Sequence, residues 1–120
     1  MKVLTIKEPY VSAIALGKKR YETRSWKTNY RGEIYIHTAK SVMSDPVEGC
    51  ERIFPLGHIV LKANLVDCIY MDQDFINKVK TDTDEYNFGF YSEGRYAWEL
   101  KNVKLIDQIK TKGKLGIWNY

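Results

Sequence analysis

The stretch Val3–Gly17, VLTIKEPYVSAIALG, changes its periodicity halfway along. Val3–Ile6 is a short run rich in branched residues and reads as a first strand. Pro9 suits the first turn of a helix, where its missing N–H costs nothing. Val11, Ile14 and Ala15 follow at i, i+3 and i+4, and Gly17 stands where a left-handed C-terminal cap belongs. A strand running straight into a two-turn helix is therefore the opening unit, and the rest of the chain decides what it packs against.

Downstream, strand signals outnumber helix signals. Arg20–Ser25 reads as a strand and Lys27–Gly32 as the loop after it. Gly32–Ala39, GEIYIHTA, alternates, with Ile34, Ile36 and Thr38 facing one way and Tyr35 and His37 the other. Gly57–Tyr70 is the longest strand candidate, with Ile59, Leu61, Ala63, Leu65 and Ile69 expected on one face. Arg95–Leu100 is another, with Tyr96, Trp98 and Leu100 sharing a face. Asp45 before Pro46 signals a short, poorly periodic helix up to Phe54, and Asp72 is placed to cap a helix that buries Phe75, Ile76 and Val79. Thr81–Gly94 is polar, acidic and aromatic and reads as a loop, and Gly113–Tyr120 as a final apolar anchor. This pattern predicts an α+β domain: a small, mostly antiparallel β-barrel with one or two helices packed against it. A doubly wound α/β sheet is disfavoured, because helices of crossover length are too few.

The 120 residues suffice for one domain, and 44% hydrophobic content supports a real core. Nine tyrosines and three tryptophans serve cores and stacking surfaces alike, so their number decides nothing. Cys50 and Cys68 lack zinc-site spacing, and no structural disulfide, signal peptide or apolar span is expected. The sequence thus predicts a soluble, cytoplasmic single domain with no metal, no cofactor and no membrane. Net charge is +4, which permits a nucleic-acid partner without demanding one.

Charge distribution says more. Leu16–Arg31 carries Lys18, Lys19, Arg20, Arg24, Lys27 and Arg31 against one acid, Glu22. On an extended strand Arg20, Glu22 and Arg24 project to one side, so Glu22 is expected between two guanidiniums. That is either a surface ion-pair ladder worth ~0–1 kcal/mol or a carboxylate held ionised to accept hydrogen bonds from a ligand. Arg31 stands beside Gly32, where a backbone can approach a ligand closely. Tyr10, Trp26, Tyr30 and Trp98 are candidate stacking walls or core residues, with Trp98 placed in the core. His37 reads as a structural histidine rather than a general base. No phosphate-binding glycine loop, HExxH or GxSxG is present.

The order of these motifs resembles the ASCH domain family, named for homology to the activating signal cointegrator. GKKRYETR fits G-x-K-x-x-E-x-R through Gly17, Lys19, Glu22 and Arg24. LTIKEPYVSAIALG resembles the family's opening strand and helix, with Glu8 where glutamine is more usual. RSWKTNYRGEIYIHTAK, FPLGHIVLKANLVDC, GRYAWEL and KGKLGIWNY extend the likeness over most of the chain, as one domain spanning 1–120. The resemblance implies a PUA-like barrel with a cleft beside the first helix that takes RNA, single-stranded DNA, or a nucleotide or nucleoside. Carried over by position, Lys19, Glu22 and Arg24 form the polar set of that cleft, and Tyr10 and Trp26 its walls. Lys18, Lys19, Arg20, Arg24, Ser25, Lys27 and Arg31 would meet the nucleic acid. Some small members are amidohydrolases of N-acetylated cytidine that use the motif lysine with a threonine and a glutamate. In this chain Glu22 stands where those enzymes have threonine, so Lys19 and Glu22 are the catalytic candidates if hydrolysis occurs.

Overall fold

A computed structural model describes residues 1–43 and 49–120. The short helix expected from Asp45 onward falls largely on 44–48 and so lies outside the described residues. Among the described residues nine elements follow one another: β1 (Lys2–Ile6), α1 (Tyr10–Ala15), β2 (Tyr21–Arg24), β3 (Gly32–Thr38), β4 (His58–Tyr70), α2 (Gln73–Val79), α3 (Thr83–Asn87), β5 (Tyr96–Lys110) and β6 (Ile117–Asn119). The strands form one curled, barrel-like sheet in the order β2-β5-β4-β3-β1-β6. The sheet is mixed: β1 lies parallel to β3, because the chain crosses over through α1 and β2 between them, and the other neighbours pair antiparallel.

The local predictions for the first unit hold. Gly17 has φ +77°, the left-handed conformation that ends α1. At its other end, Glu8 is fully buried. Its carboxylate accepts from Ser12 N at 2.7 Å and Ser12 Oγ at 2.6 Å. Glu8 therefore caps the helix from within and does not face a ligand. Asp72 caps α2 as expected, accepting from Phe75 N at 2.8 Å.

Three expectations need correction. Thr81–Gly94 is not all loop, since α3 lies inside it, capped by Asp82 accepting from Glu85 N at 3.2 Å; the described residues therefore hold three helices rather than one or two. The strand starting at Arg95 runs on to Lys110, because its outer half pairs with β4 although little of it is buried. Ile59 parts from Leu61: it packs with Val3 and Trp118, whereas Val60, Leu61, Ala63 and Leu65 enter the main core. The cause is a bulge against β3, where the adjacent Ile36 and His37 pair with Leu61 and Ile59, two residues apart. An extra residue in one strand reverses the alternation and bends the strand, which lets β4 and β5 curl.

The main core packs Leu4, Ile6, Val11 and Ile14 against Ile34, Ile36, Leu61, Leu65 and Trp98. Burial of α1 on the inside of the sheet thus fixes the helix end, and with it the residues that follow Gly17. A second cluster, Tyr21, Met71, Ile76, Val79 and Ala97, seats α2 behind β2.

Candidate functional site

A cavity of about 380 Å³ opens where the curl brings edge strand β2 towards β1. Thr5, Ile6 and Lys7 form one wall, Tyr10 of α1 another, and Glu22, Thr23 and Arg24 of β2 the floor; Ala39, Met43 and the 114–116 segment complete it. Arg24 spans the gap between strands that are not hydrogen-bonded neighbours. One of its Nη atoms donates to Thr5 O at 2.9 Å and lies 3.0 Å from Glu22 Oε2.

The Glu22 carboxylate is 6% exposed. Its other oxygen lies 3.6 Å from Lys19 Nζ, and Lys19 itself is only 2% exposed. The ammonium also donates to Phe88 O, just past α3, and sits 5.0 Å from the Tyr10 ring centroid. An unpaired ammonium at that depth would be prohibitively costly, so these partners are what keep Lys19 inside. Burial still pushes its pKa below the usual lysine value, against the pull of Glu22 and Glu85. Burial raises the Tyr10 phenol, and Glu22 adds to the effect. Lys19 does not line the cavity; it lies behind Glu22 and fixes its position.

The expected clamp of Glu22 between two arginines is therefore replaced by Lys19 on one side and Arg24 on the other. Arg20 precedes the strand and turns away: its Nε donates to Glu85 Oε1 at 3.1 Å, and its backbone N donates to the same oxygen at 2.8 Å. Lys18 donates to Gly49 O at 2.6 Å. Arg31 is engaged by Thr28 O and Tyr30 O at 2.9 and 2.8 Å. Ser25, Trp26 and Lys27 are exposed and do not line the cavity. Trp26 stands at its edge, perpendicular to the fully buried Trp98, with its ring 3.9 Å from where a Cβ on Gly116 would be. Of the predicted residues, the structure thus brings Tyr10, Glu22 and Arg24 to the cavity and Lys19 beneath it. Thr5, Lys7, Thr23 and Lys114 line it without having been singled out. The run Lys110, Lys112, Lys114 was the available signal for the last of these.

His37 is buried and satisfied on both nitrogens: Nε2 pairs with Thr111 O at 2.7 Å and Nδ1 with Thr5 Oγ1 at 3.1 Å. A carbonyl can only accept, so Nε2 carries the proton and Nδ1 accepts from the threonine. Burial lowers the His37 pKa, chiefly opposed by the Thr111 carbonyl. It is a structural histidine, and it ties the segment after β5 to β1 and β3.

A curled α+β sheet with a charged cavity beside its first helix defines the class of protein. A solved structure shares the fold: a mutant ZmASCH protein from Zymomonas mobilis superposes with a TM-score of 0.58 at 20% identity, covering 91% of this chain and 74% of that one. The sequence pattern of the ASCH domain matches residues 4–110, and the chain belongs to the ASCH domain family. No curated protein matches it by sequence. No helix among the described residues is long and apolar enough to cross a membrane.

Proposed function

We propose that this ASCH domain is a PUA-like nucleic-acid-binding module that seats one nucleotide of a single strand in the cavity beside Tyr10, Glu22 and Arg24. The observation that carries the reading is Glu22 itself, a carboxylate held between the buried Lys19 and Arg24 at a cavity floor. Glu22 offers only acceptors and Arg24 only donors, so together they match a base edge that presents both. Arg24 Nε is one of two buried side-chain donors without a partner among the described residues. The volume of about 380 Å³ lies within the usual range for small-ligand pockets.

Calorimetric titration with the four ribonucleoside monophosphates at low salt tests this. One of the four binds, and Arg24→Met weakens it at least tenfold; no binding by any of them overturns the reading.

Hydrolysis of an N-acetylated cytidine is the second reading, favoured by one observation: burial moves Lys19 towards the neutral amine that a base or nucleophile requires. Against it stands the position of Nζ, on Phe88 O and behind Glu22. Incubation with N4-acetylcytidine separates the two. Binding alone releases no cytidine, whereas turnover that Lys19→Ala abolishes would transfer the assignment to a hydrolase.

A further inference from the structure

The sequence concentrates positive charge in Leu16–Arg31, but the fold uses most of it internally. Lys18, Lys19, Arg20, Arg24 and Arg31 all have carbonyl or carboxylate partners. Only Lys27 of that stretch has an ammonium with neither an ion pair nor a hydrogen bond among the described residues.

Elsewhere, lysines distant in sequence converge. Beyond the Glu22–Arg24 cavity lies a second depression of about 340 Å³, which shares Thr5, Ala39, Lys114 and Leu115 with it. A third, of about 380 Å³, shares Lys40 and Lys112 with the second and adds Lys110. The three depressions adjoin one another through these shared residues and together form a groove-like surface. Lys40, Lys110, Lys112 and Lys114 are exposed along it, and none has an ion pair among the described residues. Among the described residues, no Asp or Glu lines the second or third depression. Like charges gathered without acids repel one another, and a polyanion in the groove relieves that repulsion.

The segment that carries Lys112 and Lys114 is held in place. Thr111 O is fixed by His37, and Trp118 Nε1 donates to Thr5 Oγ1 at 3.0 Å just beneath. Gly113 lies so close to β1 and β3 that a Cβ there would be 2.7 Å from Thr5 Oγ1 and 2.8 Å from His37 Cε1. Two lysines flanking a seated glycine are thus presented from a fixed backbone.

We infer that the groove of Lys40, Lys110, Lys112 and Lys114 is a track for the phosphodiester backbone of a single strand whose one nucleotide occupies the cavity. This rests on the nucleotide-binding reading above. The test uses fluorescence anisotropy with oligouridylates and oligothymidylates of increasing length, alongside calorimetry with the monophosphate. Lys40→Gln/Lys112→Gln is compared with Lys78→Gln, an exposed lysine on α2, and the unmodified chain across a salt series. Affinity should rise with length in the unmodified chain. The double variant should lose that gain, and its slope of log K against log[salt] should be shallower by about 1.4, for two single-strand phosphate contacts. Monophosphate binding and the Lys78→Gln slope should not change. The ribo and deoxyribo arms report which sugar the track prefers, and a gain with length in either supports it. Monophosphate binding without a gain from length overturns the track and leaves the cavity reading intact, as does an equal loss in Lys78→Gln. Absence of both kinds of binding at low salt overturns both.

Discussion

Glu22→Gln keeps the shape of the cavity floor and removes one charge, so its cost measures what holds Lys19 inside. The two groups lie 3.6 Å apart and both are nearly fully buried. At an effective dielectric of about 20 their attraction is about 4–5 kcal/mol. The amide still offers Lys19 an oxygen, and Phe88 O stays in place, so the net loss should be about 3 kcal/mol, the lower end for breaking a buried pair. In a domain of this size that lowers Tm by about 12 °C. The loss also depends on pH. Lys19 has a folded pKa below its unfolded value of 10.5, so between those two values the unfolded chain binds more protons and stability rises with pH. Without Glu22 the folded pKa falls further and this window opens lower. The deficit is largest where Lys19 is most fully protonated and shrinks as pH rises towards 10. Urea unfolding at pH 6 and pH 9.5 measures it, with Lys19→Met as the second side of a double-mutant cycle. A deficit under about 1 kcal/mol, the same deficit at both pH values, or one undiminished in the Lys19→Met background would refute the reasoning.

Gly113→Ala should destabilise by about 1–3 kcal/mol through its clash with Thr5 and His37, read as a fall in Tm. Its φ is not positive, so the effect is steric overpacking rather than backbone strain. His37 has a depressed folded pKa. Stability it contributes above the unfolded value near 6.5 is therefore lost as pH falls towards the folded pKa. Denaturation midpoints at pH 7.5 and 5.5 should show a steeper decline in the unmodified chain than in His37→Gln. Glu85→Ala leaves Arg20 N and Tyr21 N without their buried carboxylate partner. It should cost about 2–4 kcal/mol, with early loss of hydrogen-exchange protection across Thr83–Asn87.

The opening strand, the first helix and its glycine cap were legible in the sequence because they rest on local patterning and backbone preference. So were Asp72 as a cap and Trp98 as a core residue. The family pattern picked out Lys19, Glu22 and Arg24 as a set, and the fold does bring those three together. Partners drawn from far along the chain were not legible. Strand parity placed Arg20 beside Glu22, but Glu85, 65 residues away, captures Arg20 before the strand begins. Glu8 occupies the position of a usual glutamine, and nothing local announced that the helix and Phe54 N enclose it. Phase reversal at Ile59 needs a bulge, which alternation alone cannot announce. The outer half of β5 was missed for a related reason: apart from the half-buried Val103, Ile106 and Ile109 it is exposed, and pairing with β4 rather than burial makes it a strand.

Lys19 and the backbone at Arg20 are both satisfied from one short stretch, through the Glu85 carboxylate and the Phe88 carbonyl. The connection between α2 and β5 is therefore not free to vary in length or composition as an ordinary surface loop is. A homologue that shortens or replaces it must supply two substitutes at the same points, a carbonyl for the ammonium and an acceptor for the start of β2, or give up the buried lysine. Transplanting residues 81–94 into such a homologue, or deleting them from this one, would reset the charge behind the cavity without altering any residue that lines it, apart from the contact of Thr23 with Phe90 N. The segment that looks most expendable on the surface is the inner wall's electrical ground.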